Sequence, residues 1–195
     1  PLKYLTIDPS GGGDYTTVYE ALVLVKNQYR DEYTGKGLQL WLVAGEHSLG
    51  GGLVLDATLD LSKLEISAAS NDVHITSYAS TLLEVHAGAP PLKLQGLHLS
   101  GQVRIYGGDG IELLDCSFRG DNAAQGRRLK AASVGGASTR ALWISGGHVT
   151  LHATLFEDQA AGAIEVSGGR LELRSSVFRR NEAARGGALL VTGGD

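Results

Sequence analysis

The chain contains no methionine, a single cysteine and only four prolines in 195 residues. One cysteine, Cys116, excludes an internal disulfide and a multi-cysteine zinc centre, and it carries no information about redox compartment. So few prolines, with no proline-rich run, argue against a disordered linker. Charge is sparse too. Charged residues make up 19% of the chain, against ~25% in an average domain, and the net charge is −4. This excludes the basic footprint of a nucleic-acid binder, and the short cluster Arg127, Arg128 and Lys130 reads as a solvated loop. No apolar run approaches the ~20 residues of a membrane span, so no transmembrane segment is expected. No signal peptide is visible, and a start at Pro1 without methionine predicts a chain processed or excised from something larger.

Glycine is what the chain has in excess: 28 of 195 residues, about twice the average share of ~7%. Spread along the whole length, it predicts many turns between short strands. The N-terminal part reads as a strand, Tyr4 to Ile7, a turn from Asp8 to Gly13, and then a helix. Thr17 and Glu20 have capping-box spacing. Val18, Ala21, Leu22 and Val25 recur at i, i+3, i+4 and i+7 and form one apolar stripe. The polar stretch from Asn27 to Gly37 ends the helix, and Leu38 to Val43 reads as the next strand.

From about residue 82 the chain repeats itself. Ala141 to Gly147, His148 to His152 and Leu155-Phe156 align, apolar position by apolar position, with Ala163 to Gly169, Arg170 to Arg174 and Val177-Phe178. The same frame fits Val103 to Gly108 with Ile111, Leu113 and Phe118, and more loosely Leu83 to His86 with Leu92, Leu94 and Leu99. It restarts at Leu189 to Gly194. A period of about 20 to 25 residues, holding short strands with alternating apolar and polar positions and no helix, indicates a β-solenoid. Roughly seven coils at ~4.8 Å spacing predict a rod ~35 Å long. The Gly-Gly pairs fall at sharp turns between strands. The excess length between Phe118 and Ala141 predicts a loop insertion or small extra coil at about 121–139.

Two stretches carry a family resemblance. Ile7 to Leu22, with Gly11-Gly12-Gly13 followed by Thr17-Val18-Tyr19-Glu20-Ala21, resembles the opening of pectin-lyase-like β-helix proteins, in which a Gly-rich turn and a helix close one end of the rod. Val177 to Leu189, with Phe178-Arg179-Arg180-Asn181 and Gly186-Gly187-Ala188-Leu189, is similar to the repeats of polymorphic outer-membrane and related surface proteins. The preceding repeat departs from that pattern, with Phe156-Glu157-Asp158-Gln159 and Gly162-Ala163-Ile164. The Asn-Thr-Asp, Asp-Asp and Gly-His-Gly motifs of polygalacturonases and the Asp-Phe-Ile-Phe-Gly motif of pectin esterases are missing, as is a clear calcium-binding Asp cluster. The expected fold is therefore all-β: a single-stranded right-handed parallel β-helix with an N-terminal capping α-helix and an uncapped C-terminal end. It is expected to form one domain over 1–195, with a cap at 1–37 and coils at 38–195. The resemblance implies a secreted or cell-surface location.

In this register one outward row holds Glu84, Arg104, Trp143, Glu165 and Leu190, and its neighbour holds His86, Tyr106, Ser145, Ser167 and Thr192. Aromatics interleaved with charges on an open sheet suit stacking on sugar rings, so Glu84, His86, Arg104, Tyr106, Trp143 and Glu165 are the candidate glycan face. The alternative reading is that the same rows are stabilising ladders, or a surface covered in the full-length protein, and the second row is too irregular for an ice-binding threonine array. His148 and His152 share a face but stand ~13 Å apart on a strand, too far for one zinc. Asp115 with Asp121, and Glu157 with Asp158, are carboxylate pairs at turns, where acidic side chains bond locally. Cys116 is expected to pack inward as a small hydrophobe. No catalytic residue, metal or cofactor is assigned. The expected function is a non-catalytic spacer or adhesive domain. Its expected partners are further coils of the parent chain, a polysaccharide or another surface protein, with end-to-end self-association. A carbohydrate-active module using the face around Trp143 is the alternative.

Overall fold

The computed structural model describes residues 2–120 and 140–194. The predicted insertion at 121–139 lies outside the described residues. The elements, in chain order, are β1 (Leu2–Ile7), α1 (Val18–Asn27), α2 (Arg30–Tyr33), β2 (Gly37–Leu42), β3 (Gly45–Ser48), β4 (Leu53–Leu55), β5 (Lys63–Ala68), β6 (Val73–Val85), β7 (Leu92–Gln95), β8 (His98–Ile105), β9 (Ile111–Leu114), β10 (Ser117–Arg119), β11 (Leu142–Ile144), β12 (His148–His152), β13 (Leu155–Glu157), β14 (Ile164–Val166), β15 (Arg170–Arg174), β16 (Val177–Arg179) and β17 (Leu189–Val191). The protein is all-β apart from α1 and α2, and every strand pairing described is parallel. No helix among the described residues is long and apolar enough to cross a membrane.

The strands form three ladders, which the chain visits in rotation. The first runs β1-β2-β5-β7-β9-β12-β15. The second joins β3, the start of β6, the start of β8, β10, β13 and β16. The third joins β4, the end of β6, the end of β8, β11, β14 and β17. β6 and β8 each run through both later ladders, with a register shift in their pairing between Thr76 and Leu83. Each passage through the three ladders adds one layer.

Alternation places the core. On the first ladder Leu40, Ile66, Leu94, Leu113 and Leu151 face one another in register, and all are buried. Burying each such side chain contributes about 1.5–3 kcal/mol, an upper figure because unfolded chains already bury some apolar area. The second ladder adds a column of phenyl rings. Phe118, Phe156 and Phe178 stack nearly parallel, with centroids 4.7 and 5.1 Å apart.

Corners between ladders need left-handed backbone. Gly96, Asp115, Ala153 and Ser175 hold successive corners between the first and second ladders, all with φ between 50° and 71°. The Gly-Gly corners leaving the third ladder are tighter still. A Cβ on Gly147 (φ 82°) would stand 2.3 Å from the Gly108 carbonyl oxygen, and one on Gly169 2.6 Å from that of Gly147. Only glycine lets one layer approach the next this closely.

The two ends differ. Val18, Ala21, Leu22 and Val25 of α1 are buried against the core, as their spacing predicts. The Thr17 side chain accepts from the Glu20 amide at 3.0 Å, while Glu20 reaches back to Thr16 rather than to the cap residue. The polar stretch after α1 contains a further short helix, α2, whose Tyr33 is buried. The outer edge of β1 is occupied at Thr6. Thr6 donates its amide to Asp14 Oδ2 at 2.7 Å, and the Asp14 and Tyr15 amides donate to the Thr6 carbonyl. No such cover lies over β15, β16 and β17 among the described residues. Positions that are 0–2% exposed one layer earlier (Leu151, Ile164, Val166) have as their register partners Leu173, Leu189 and Val191, which are 39, 38 and 57% exposed.

Candidate functional site

The third ladder presents the predicted outward face in the predicted register. Val54 pairs with Glu84, Glu84 with Arg104, Arg104 with Trp143, Trp143 with Glu165, and Glu165 with Leu190. The neighbouring row starts where the strands end, so its side chains lean over the corner. Three aromatic rings join across the two rows. His86 stacks on Tyr106 at 4.8 Å, and the Tyr106 ring meets Trp143 edge-on at 5.2 Å. Tyr106 is exposed and Trp143 half-buried.

Charge surrounds this aromatic column. Glu84 Oε2 lies 3.4 Å from His86 Nε2, and Glu84 Oε1 lies 3.8 Å from Arg104 Nη1. Arg104 donates a shorter bond, 2.6 Å, to Gln102 Oε1. Glu165 stands apart from the column, held at 3.1 Å by Arg140 Nε. Three strand spacings separate Glu84 from Glu165, roughly 14 Å at ~4.8 Å each. That exceeds the ~5–9.5 Å over which two carboxylates share work on one glycosidic bond. Glu84 and Glu165 therefore stand too far apart to share that work.

The other candidates resolve into structure. Asp115 occupies a left-handed corner with its side chain exposed, and Asp121 lies outside the described residues. Glu157 and Asp158 are buried and ringed by arginines. Arg180 donates to Asp158 Oδ1 at 2.6 Å and to Glu157 Oε1 at 2.8 Å, with Arg119 and Arg179 also in reach. The hydrogen bond from Arg180 holds the Asp158 carboxyl below its ordinary range. Carboxylates so occupied by guanidinium donors are poor calcium ligands. His148 pairs with Glu172 at 3.2 Å. Among the described residues no group of three or more His, Cys, Asp or Glu converges as a metal site. Cys116 packs inward, in line with Leu97 and Thr154, and burial pushes its thiol up to about 11.

No protein-family model matches the chain, and no curated protein matches it. The functional reading rests on geometry.

Three features escape the sequence reading. Arg140 is buried and closes the turn before β17 by donating to the Arg185 and Gly186 carbonyls at 2.6 Å each. It sits next to the insertion, where repeat alignment has no partner for it. Trp41 is 43% exposed on the first ladder, away from the Trp143 face. On the second ladder His74 and His98 stack at 4.8 Å, and His98 Nδ1 lies 2.5 Å from Ser117 Oγ. The His98 Nε2 faces the Asn71 carbonyl at 2.7 Å, which makes Nε2 the donor and turns the Ser117 hydroxyl toward Nδ1. Tracking the outward positions of the second ladder as well as the third would have aligned these residues. Among the described residues the core holds a small gap of about 20 Å³, lined by apolar side chains such as Leu53, Ile75 and Leu82. It is too small for a substrate and too apolar for water.

Proposed function

We propose that the three ladders wind as a right-handed parallel β-helix of the pectin-lyase-like kind, and that the chain works as a structural and interaction domain of a secreted or surface protein. Its contact surface is the face formed by β15, β16 and β17, on which further coils of the parent chain or a second copy would stack. The observation that carries this reading is the exposure of Leu173, Leu189 and Val191 at positions that are sealed one layer earlier. Together with unpaired strand edges, these side chains form a ready-made template for additional strands. The rotation of the chain through three parallel ladders supports the helical winding, and α1 supports the capped end that the resemblance implies.

Sedimentation velocity over a concentration series tests the open face. The wild-type chain should self-associate. Association should strengthen when salt rises from about 0.15 M to 1 M, because the arginines near the face repel a like face and the screening length falls from ~8 to ~3 Å. Leu173→Lys combined with Val191→Lys should leave a monomer. A wild-type monomer at every concentration and both salt levels would remove the adhesive reading.

The aromatic column favours one second reading, a glycan-binding face. His86, Tyr106 and Trp143 offer ring surface, with Glu84 and Arg104 beside it to bond hydroxyls or carboxylates. A panel of neutral and acidic polysaccharides should then yield binding that Trp143→Ala abolishes. Silence across the panel retires this reading.

A further inference from the structure

One row of outward positions on the second ladder runs Glu46, His74, His98, Ser117, Leu155 and Val177. The aromatic column uses none of these residues. The middle of the row holds a hydroxyl joined to a base. Ser117 Oγ lies 2.5 Å from His98 Nδ1, and the opposite ring nitrogen, Nε2, meets the Asn71 carbonyl at 2.7 Å. A carbonyl can only accept, so the ring proton sits on Nε2 and the Nδ1 lone pair is left for the Ser117 hydroxyl. A nucleophile bonded to a base that a third group orients is the arrangement that activates serine.

The base is held ahead of any reaction. His74 stacks on His98 at 4.8 Å and is itself met by Asp72 Oδ1 at 3.1 Å. The His98 ring is thus fixed at both nitrogens and on one face. Ser117 is only 7% exposed, so bulk water competes little for its bond to His98. His74 and Ser100 on the same outer face are exposed and give a ligand its approach.

Polarity divides the surroundings. The row is polar from Ser117 back to Glu46 and apolar beyond it, at Leu155 and Val177. Arg119 stands two residues past Ser117 on the same face of β10. Its Nε lies 3.5 Å from Glu157 Oε2, longer than the ~2.7–2.9 Å of a charge-assisted bond, while Arg180 holds the other Glu157 oxygen at 2.8 Å. The Arg119 side chain is 63% exposed, so it keeps donors for another anion.

We propose that Ser117 is a nucleophile toward esters of apolar carboxylic acids, with His98 as its general base. Ser117 Oγ bonds to the acyl carbon as its proton passes to His98 Nδ1. The ester carbon–oxygen bond then breaks, and the departing oxygen takes that proton and leaves as the alcohol. Water next attacks the acyl-serine and gives a proton to Nδ1. The carboxylic acid departs as Ser117 recovers that proton. Arg119 supplies positive charge for the oxyanion of each addition, and Leu155 and Val177 receive the acyl chain.

A fluorophosphonate probe and two p-nitrophenyl esters test this on the intact chain. The probe should bond through phosphorus to Ser117 Oγ with loss of fluoride, a position that peptide mass spectrometry locates on the wild-type protein. The butyrate ester should be hydrolysed roughly tenfold faster than the acetate. Ser117→Ala should abolish labelling and hydrolysis, and His98→Gln should slow both about a hundredfold. Ser100→Ala should change neither, with far-UV circular dichroism confirming the fold of each variant. If a variant does not fold, the wild-type label still decides, because a probe that leaves Ser117 unmodified overturns the proposal. Labelling of Ser117 that is as fast in His98→Gln also overturns it, since the hydroxyl is then an ordinary one. Equal rates with the two esters remove the acyl-chain assignment.

Discussion

Single residues in this protein are fixed by their layer neighbours more than by their sequence neighbours. Cys116 is one case. It is 2% exposed, and its sulfur approaches the Leu94 and Leu114 carbonyls at 3.6 and 3.4 Å. Desolvation raises the thiol to about 11 from an ordinary 9.0, outweighing backbone hydrogen bonds with Leu97, Leu114 and Gly96 that favour the thiolate. The folded chain should therefore resist disulfide-exchange reagents at pH 8 and react fully once unfolded in denaturant, since the thiolate is the nucleophile. The sign for stability follows. With its folded value raised, the group contributes stability below pH 9 that is lost as the pH climbs through about 11. Thermal melts above pH 9 should reveal this loss, and Cys116→Ala should remove that part of the alkaline slope. Rapid labelling of the native thiol at pH 8 would contradict the buried position.

At the scale of elements, the phenyl column makes the sharpest comparison. Phe156 is fully buried between two rings, whereas Phe178 ends the stack and is only partly covered. Phe156→Ala should cost about 3–5 kcal/mol, or roughly 10 °C in Tm for a chain of this length. Phe178→Ala should cost clearly less, and equal losses in thermal denaturation would mean that the last layer is sealed. These two rings were visible in the sequence because their positions recur in the repeat. So were the α1 stripe and the full third-ladder register from Glu84 to Glu165, since period-2 alternation and Gly-Gly corners leave little freedom in alignment. Other features were not legible. Arg140 bonds to carbonyls 45 and 46 residues away, and main-chain acceptors have no side-chain signature. The His74–His98–Ser117 group lies on a ladder whose strands are continuous with the next ladder in β6 and β8, so the repeat unit conceals the boundary. Asp115 reads as a carboxylate in sequence, yet its site mainly requires a left-handed corner, a place that glycine, alanine and serine fill in other layers.

For the whole molecule, cohesion should fall along the stacking direction. Middle layers are covered on both sides, the first is sealed by α1, and the last is covered on one side alone. Native-state hydrogen exchange should therefore show the lowest protection in β15, β16 and β17 and higher protection in β12, β13 and β14, because local opening follows buried contact. Uniform protection from β2 to β17 would argue against an open last layer.

The difference between the two ends also bears on stoichiometry. A face that recognises an equivalent face closes at two copies, whereas recognition between unlike ends propagates without limit. Here α1 packs over one end, and Asp14 and Tyr15 take the Thr6 amide and carbonyl on the outer edge of β1. Two copies meeting through β15, β16 and β17 would stop at the dimer, and growth past the dimer in sedimentation would mean that unlike ends meet.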